Sequence, residues 1–204
     1  MGLFLDVIAV VAKSETEVGV GLMAYAERCD GIAERTDAVG PDCAGATEYP
    51  AGVLVTCPGS FHDADDAARF LSQALGCATL TISVHDGDLW SYVLFDRGHP
   101  RHRFSTIPDY FEDDDGGPRS TSGDAVELAA QLPNVPVERI ERYLRPWTAD
   151  DDGTRAYPED EFTVGDVWQF TDFLRAIGLD WPDDGDGAAG RSYRLTTERR
   201  YYSD

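Results

Sequence analysis

The side chains best suited to chemistry in this sequence are four histidines and four cysteines. His99-Pro100-Arg101-His102 sets two imidazoles three residues apart, but a proline-containing, strand-like segment need not point them the same way. His85 and His99 fall at opposite ends of one expected strand, about 25 Å apart at ~3.3 Å per residue, too far to share a metal ion. Cys29, Cys43, Cys57 and Cys77 include no C-x-x-C pair, so the spacing of a zinc ribbon is missing. Cys57-Pro58-Gly59-Ser60-Phe61-His62 sets a thiol near an imidazole at a strand-to-helix junction, the ingredients of an activated thiolate. Cys57 and Cys77 also adjoin apolar runs, where cysteine usually serves as a small buried hydrophobe.

Calcium has a degenerate candidate. Counted from Thr148, Asp150, Asp152, Gly153 and Glu159 take the third, fifth, sixth and twelfth positions of an EF-hand loop. Thr148 replaces the usual first aspartate, however, Arg155 stands at the normally apolar eighth position, and Pro158 disturbs entry to a following helix. A solvated acidic loop accounts for the same residues. The chain has no G-x-S-x-G elbow, no P-loop and no G-x-G-x-x-G after a strand. No metal and no cofactor is expected, and no catalytic residue is assigned.

The aromatic residues of SVHDGDLWSYVLFDRG, residues 83 to 98, are the strongest local feature. Asp86-Gly87 suits a two-residue hairpin turn, and Asp96-Arg97-Gly98 suits a second turn. A two-residue turn pairs His85 with Asp88, Val84 with Leu89, Ile82 with Ser91 and Leu80 with Val93. That face, with Phe95, is the expected core. Ser83 then opposes Trp90, Thr81 opposes Tyr92 and Thr79 opposes Leu94, a half-wet face. Helices cover that face, or it is a contact surface anchored by its aromatic rings. Trp90, Tyr92, Asp88, His85, Asp109, Tyr110 and Phe111 are the expected binding residues.

The elements that must position these residues follow from pattern. LFLDVIAVVA suits a buried first strand, and Ser14-Glu15-Thr16-Glu17 is a capping box opening a helix to about Arg28, with Val18, Leu22, Tyr25 and Ala26 on one face. Gly19 and Gly21 weaken that helix. Residues 35–50, with Gly40-Pro41 and Pro50, read as loop, and residues 53–57 as a strand. Asp63 caps a second helix ending at Gly76, with Asp65 and Asp66 in the first turn favouring its dipole. Strands follow at 78–85, 88–96 and 101–105, then an exposed loop at 111–124. DAVELAAQL, PVERIERYLRPW and residues 163–177 read as helices, and residues 193–197 as a last strand. The pattern implies an α+β fold, a mainly antiparallel sheet (β-α-β-α-β-β-β) with C-terminal helices packed on it. One domain over residues 1–204 is expected, sheet-rich in 1–110 and helical with a terminal strand in 111–204.

Composition bounds the function. Thirty-eight acids against 17 Lys and Arg, with Lys13 the single lysine, give a net charge of −21. Such a field repels nucleic-acid backbones and anionic membranes and attracts basic proteins. The N-terminal stretch has no basic leader and Asp6 interrupts its apolar run, so a cytoplasmic location is expected.

W-S-Y-V-L-F-D-R-G (90–98), R-F-S-T-I-P-D-Y-F (103–111) and G-D-A-V-E-L-A (123–129), with the later L-R-A-I-G-L-D-W-P and Y-R-L segments, resemble a group of uncharacterised bacterial proteins, mainly actinobacterial. Its marks are W-x-Y-x-L-F-x-x-G followed by P-x-Y-F. The resemblance is strongest over residues 78–130 and implies an α+β design without an established activity. By analogy with immunity proteins, the expected function is a non-enzymatic acidic binding protein that recognises a basic protein partner. The alternative is a small enzyme or ligand-binding protein with a pocket between the sheet and the C-terminal helices, using His85, Asp86, Asp88 and Asp109.

Overall fold

An aliphatic run without polar alternation can be buried on both faces only in the middle of a layered sheet. The computed structural model places β1 (Leu5–Val11) there, with every side chain from Val7 to Val11 buried. The structure describes residues 2–38, 43–58, 63–110, 123–148, 150, 153–182 and 190–196. After β1 come α1 (Glu15–Arg28), β2 (Ile32–Thr36), β3 (Cys43–Tyr49), β4 (Gly52–Thr56) and α2 (Ala64–Leu75). Then follow β5 (Ala78–His85), β6 (Leu89–Asp96), β7 (His99–Ser105), α3 (Ala125–Gln131), a 3-10 turn at Val137–Arg139, α4 (Gln169–Ala176) and β8 (Arg191–Thr196). The eight strands form one antiparallel sheet in the order β2-β8-β3-β4-β1-β5-β6-β7. This is an α+β fold.

The sheet separates two apolar layers. On one side Ile8, Val10, Val53, Val55, Phe95 and Tyr193 pack against Val18 and Leu22 of α1 and Ala67 and Leu71 of α2. On the other, Leu80, Ile82, Trp90, Tyr92, Leu94 and Phe104 pack against Leu128, Ile140, Phe170, Phe173 and Leu174. The capping signals act as read. Ser14 and Glu17 form the reciprocal box, which holds the exposed Glu17 carboxyl at about 2. Asp63 accepts from Asp66 N, and Gly76 ends α2 in the left-handed region. The glycines of α1 are there for close approach. A Cβ on Gly19 would run into the Tyr193 ring of β8, and one on Gly21 would meet Leu71 of α2 at 2.6 Å.

Three element readings need correction. Residues 35–50 are not simply loop, because β3 lies within them and pairs with both β4 and β8. Its sequence, CAGATEY, is mostly small residues, with Thr47 its single β-branched side chain, and half of its pairing comes from β8, distant in sequence. PVERIERYLRPW is a 3-10 turn followed by further turns rather than an α-helix. There the Glu138 carbonyl accepts from the Tyr157 hydroxyl and the Arg142 amide donates to it. The expected helix over 163–177 begins only at Gln169, because the Asp172 carboxylate takes the amides of Glu161 and Phe162 and fixes a preceding loop. Residues 148–159 therefore have no α-helix on either flank, as a calcium hand requires; Asp151 and Asp152 lie outside the described residues. No helix among the described residues is long and apolar enough to cross a membrane.

The hairpin register is also corrected. Asp86 and Gly87 both take positive φ and Asp88 N donates to the His85 carbonyl, so the tight turn forms. The ladder resumes one residue later, with His85 opposite Leu89, Val84 opposite Trp90, Ile82 opposite Tyr92 and Leu80 opposite Leu94. Asp88 is the extra residue. A one-residue slip moves every side chain to the other face. Trp90 and Tyr92 thus share a face with Ile82 and Val84, while Val93 and Phe95 turn toward α1 and α2.

Candidate functional site

The residues expected to bind a partner separate into two groups. Trp90 and Tyr92 are fully enclosed: Phe173 of α4 stacks on both, at 5.2 Å and 6.1 Å between ring centroids, and Phe104 closes on them from β7. They are core, which removes them as surface anchors. Between the sheet and the C-terminal segment, Phe173 and Tyr143 continue this ring cluster. The Tyr92 hydroxyl meets His102 Nδ1 at 3.1 Å, and His102 Nε2 accepts from Asp124 N, so this imidazole joins β7 to the start of α3. His85, Asp88 and Tyr110 do come together, with Asp109 beside them in sequence. Phe111 lies outside the described residues.

This second group sits at the hairpin tip. The Thr106 hydroxyl and amide both bind the Trp90 backbone, which turns the chain after β7 back toward the turn at 86–88. The Tyr110 hydroxyl then donates to Asp88 Oδ2 at 2.8 Å, which raises its own proton affinity, and its ring meets His85 edge-on at 5.6 Å. Gly87 N donates to the Leu3 carbonyl, which brings the Phe4 ring edge-on to His85 at 4.9 Å. Phe4 is 63% exposed. No local pattern announces this cluster, because it joins residues 4, 85 and 110.

Two hollows were not anticipated. One, about 300 Å³, opens between α2 and the β1–β5–β6–β7 face and is lined by Asp6, Asp63, Asp65, Thr81, Ser83, Ser91 and Arg103. Ser83 Oγ donates to Asp6. Burial raises the Asp65 carboxyl above the usual range, opposed by the nearby Thr81 hydroxyl and Arg103 guanidinium and reinforced by Asp63 and Asp6. The dipole reading of Asp65 at the start of α2 captured its position but not this face. The other hollow, about 320 Å³, lies within the C-terminal half and is lined by Arg142, Arg145, Arg155, Trp147 and Gln169, among others.

No family model, curated protein or solved structure matches the chain. Its chemistry therefore has to be read from the side chains themselves. Buried polar atoms without a hydrogen bond are informative, since each costs about 1–3 kcal/mol. Among the described residues they are Thr81 Oγ1, Trp90 Nε1 and Gln169 Nε2. Thr81 and Gln169 each line a hollow, whereas Trp90 is held in packed rings. No group of three or more potential metal ligands occurs among the described residues. The Cys57 thiol is pushed up by burial, the opposite of activation; His62 lies outside the described residues.

The raised Asp65 carboxyl has a stability consequence. Ionising it is harder in the folded chain than in the unfolded one, so its contribution is most favourable below the ordinary aspartate range and is lost as pH rises through the shifted value. Asp65→Asn is accordingly expected to raise the melting temperature at pH 7, with the gain shrinking as pH is lowered toward 4. A lower melting temperature at pH 7 would mean that attraction to Arg103 outweighs desolvation.

Proposed function

We propose that this chain is a non-enzymatic binding protein, similar in character to immunity proteins, that receives a basic protein partner at the hairpin tip. The observation that carries the reading is the exposed Phe4 ring, which meets His85 edge-on while His85 in turn meets Tyr110, in a cluster whose own or adjoining residues Asp86, Asp88 and Asp109 have exposed side chains. Aromatic side chains are enriched at interfaces, and nearby acidic groups favour a cationic partner. The net charge of −21 adds long-range attraction that would speed association with a basic partner at low salt.

The test is size-exclusion co-elution and titration with the basic proteins encoded beside its gene, at about 50 mM salt and again near 150 mM, where the screening length is ~8 Å. A complex that weakens with salt is expected. Phe4→Ala should weaken it by about tenfold or more, the effect of losing a hot-spot side chain. Asp86→Asn with Asp88→Asn should chiefly slow association. The tip is excluded as the docking site by a complex that these variants leave unchanged, and absence of any complex at low salt removes the reading altogether.

A further inference from the structure

The arginine-lined hollow is independent of the hairpin tip. In a chain with more than two acids for each base, three guanidinium groups, from Arg142, Arg145 and Arg155, line one cavity of about 320 Å³. Among the described lining residues Glu141 is the one carboxylate, and no ion pair within 4 Å joins it to these arginines. Clustered like charges repel, and an exposed surface gives no reason to gather them here.

The cavity is built from braced parts. Arg142 donates from Nη1 to the Ala156 carbonyl at 3.1 Å and lies 5.1 Å over the Tyr157 ring. The Tyr157 hydroxyl is held by the Glu138 carbonyl, and its amide by the buried Asp160 carboxylate, which also accepts from Tyr143. Val164 N binds the Thr154 carbonyl at 2.7 Å, so the backbone on either side of Arg155 is tied down. The side chains of Arg145 and Arg155 make no hydrogen bond or ion pair with the described residues. Gln169, only 1% exposed, forms part of the wall. Its Oε1 accepts from the Trp147 indole N–H at 3.2 Å, which fixes the amide orientation and leaves the Nε2 donors without an acceptor.

We propose that this cavity is a binding site for a small oxyanion, a carboxylate or a phosphate ester. Arg145 and Arg155 supply the forked donors that match either anion. Arg142, already fixed by Ala156 and Tyr157, adds charge without the cost of ordering its side chain. Gln169 Nε2 offers the anion a further donor, and the Trp147 indole ring forms the less polar wall against which the ligand's remaining atoms lie. The volume suits a small organic anion and is too confined for a protein chain.

The experiment titrates the full chain with inorganic phosphate and, separately, with citrate. Ionic strength is held constant with sodium chloride, and the indole Nε1–H resonance of Trp147, assigned with Trp147→Phe, is followed. Saturable shifts with either anion support the site, and the one that binds more tightly identifies the oxyanion class. Arg145→Ala and Arg155→Ala should each weaken binding about tenfold or more, the effect of losing a charge-assisted hydrogen bond. Both residues are exposed, so an unchanged melting temperature should accompany the loss. The proposal is overturned by shifts that do not saturate, by shifts that chloride alone reproduces, or by equal affinity in the Arg145→Ala, Arg155→Ala double variant.

Discussion

Phe173→Ala is expected to cost about 3–5 kcal/mol of folding stability, the range for removing a fully buried aromatic ring. Against a net stability of roughly 5–15 kcal/mol, that is a large share of the total. The ring is 0% exposed and lies at the meeting point of Trp90, Tyr92 and Tyr143, with centroids 5.2, 6.1 and 5.9 Å away. It belongs to α4, whose eight residues would be marginal as an isolated helix, so packing against the sheet must maintain it. Losing the ring should therefore loosen the C-terminal segment as well as open a cavity. Urea unfolding followed by fluorescence checks the first effect. Quenching of Trp90 by iodide, slight in the parent and increased in the variant, checks the second. A loss below about 1 kcal/mol with Trp90 still protected would show that the sheet face is closed by other contacts.

The same ring shows how far the sequence could be read. Element type was legible wherever a local signal governed it, as in the capping box at Ser14, the Asp63 cap, the Gly76 stop and the aliphatic β1. The antiparallel α+β architecture followed from those elements. What failed was set by single residues or by distant partners. Asp86-Gly87 does make the tight turn, but Asp88 is inserted before the ladder resumes, and that one residue exchanges the two faces of β6. Ser and Thr opposite aromatic rings had suggested a wet face. In the observed register Leu80, Ile82 and Val84 face Leu94, Tyr92 and Trp90, so that face is uniformly apolar, while Thr79, Thr81 and Ser83 face Phe95, Val93 and Ser91 on the other. β3 was hidden because its pairing comes from β4 and β8 rather than from its own side chains.

Candidate sites were less legible for the same reason. His85, Asp88 and Tyr110 could be suspected from their place beside the hairpin, but Phe4 reaches them through a backbone bond from Gly87 to Leu3. Of the arginines of the C-terminal hollow, Arg142 and Arg145 read only as charges on an expected helix and Arg155 only as a misfit in a calcium loop. Had residues 136–147 formed that helix, Arg142 and Arg145 would have shared a face at the spacing of an ordinary solvent-exposed pair. The 3-10 turn and the strap through Ala156 instead bring them together with Arg155 and the Gln169 amide.

A chain ending after Pro182 is expected to lose cooperative folding and to self-associate, because β8 lies inside the sheet rather than at its edge. β2 pairs with β8 alone among the described strands, and β3 would be left with a bare edge open to other molecules. β8 also completes the layer beneath α1. The Tyr193 ring, 3% exposed, fits against the Gly19 backbone, and its hydroxyl donates to the buried Glu15 carboxylate, which Arg191 Nε meets at 2.9 Å. Removing the strand takes away both partners of the Glu15 carboxylate together with the ring that covers it, so the layer beneath α1 is opened to water. Size-exclusion chromatography and thermal melting of the shortened chain test this, and a monomer with an unchanged cooperative melt would refute it. Tyr193→Phe separates the strand from its hydrogen bond. The ring and ladder remain and Arg191 still holds Glu15, so the loss should be only about 1 kcal/mol. Burial and Glu15 push the Tyr193 hydroxyl up to about 12, so its contribution is fully present below the ordinary tyrosine range and is lost as pH rises through that value. The alkaline fall in melting temperature should thus be shallower in Tyr193→Phe than in the parent, with the remaining slope shared by the other groups the fold raises, Tyr25, Tyr92, Tyr110, Tyr143 and Tyr157 and the thiols of Cys57 and Cys77.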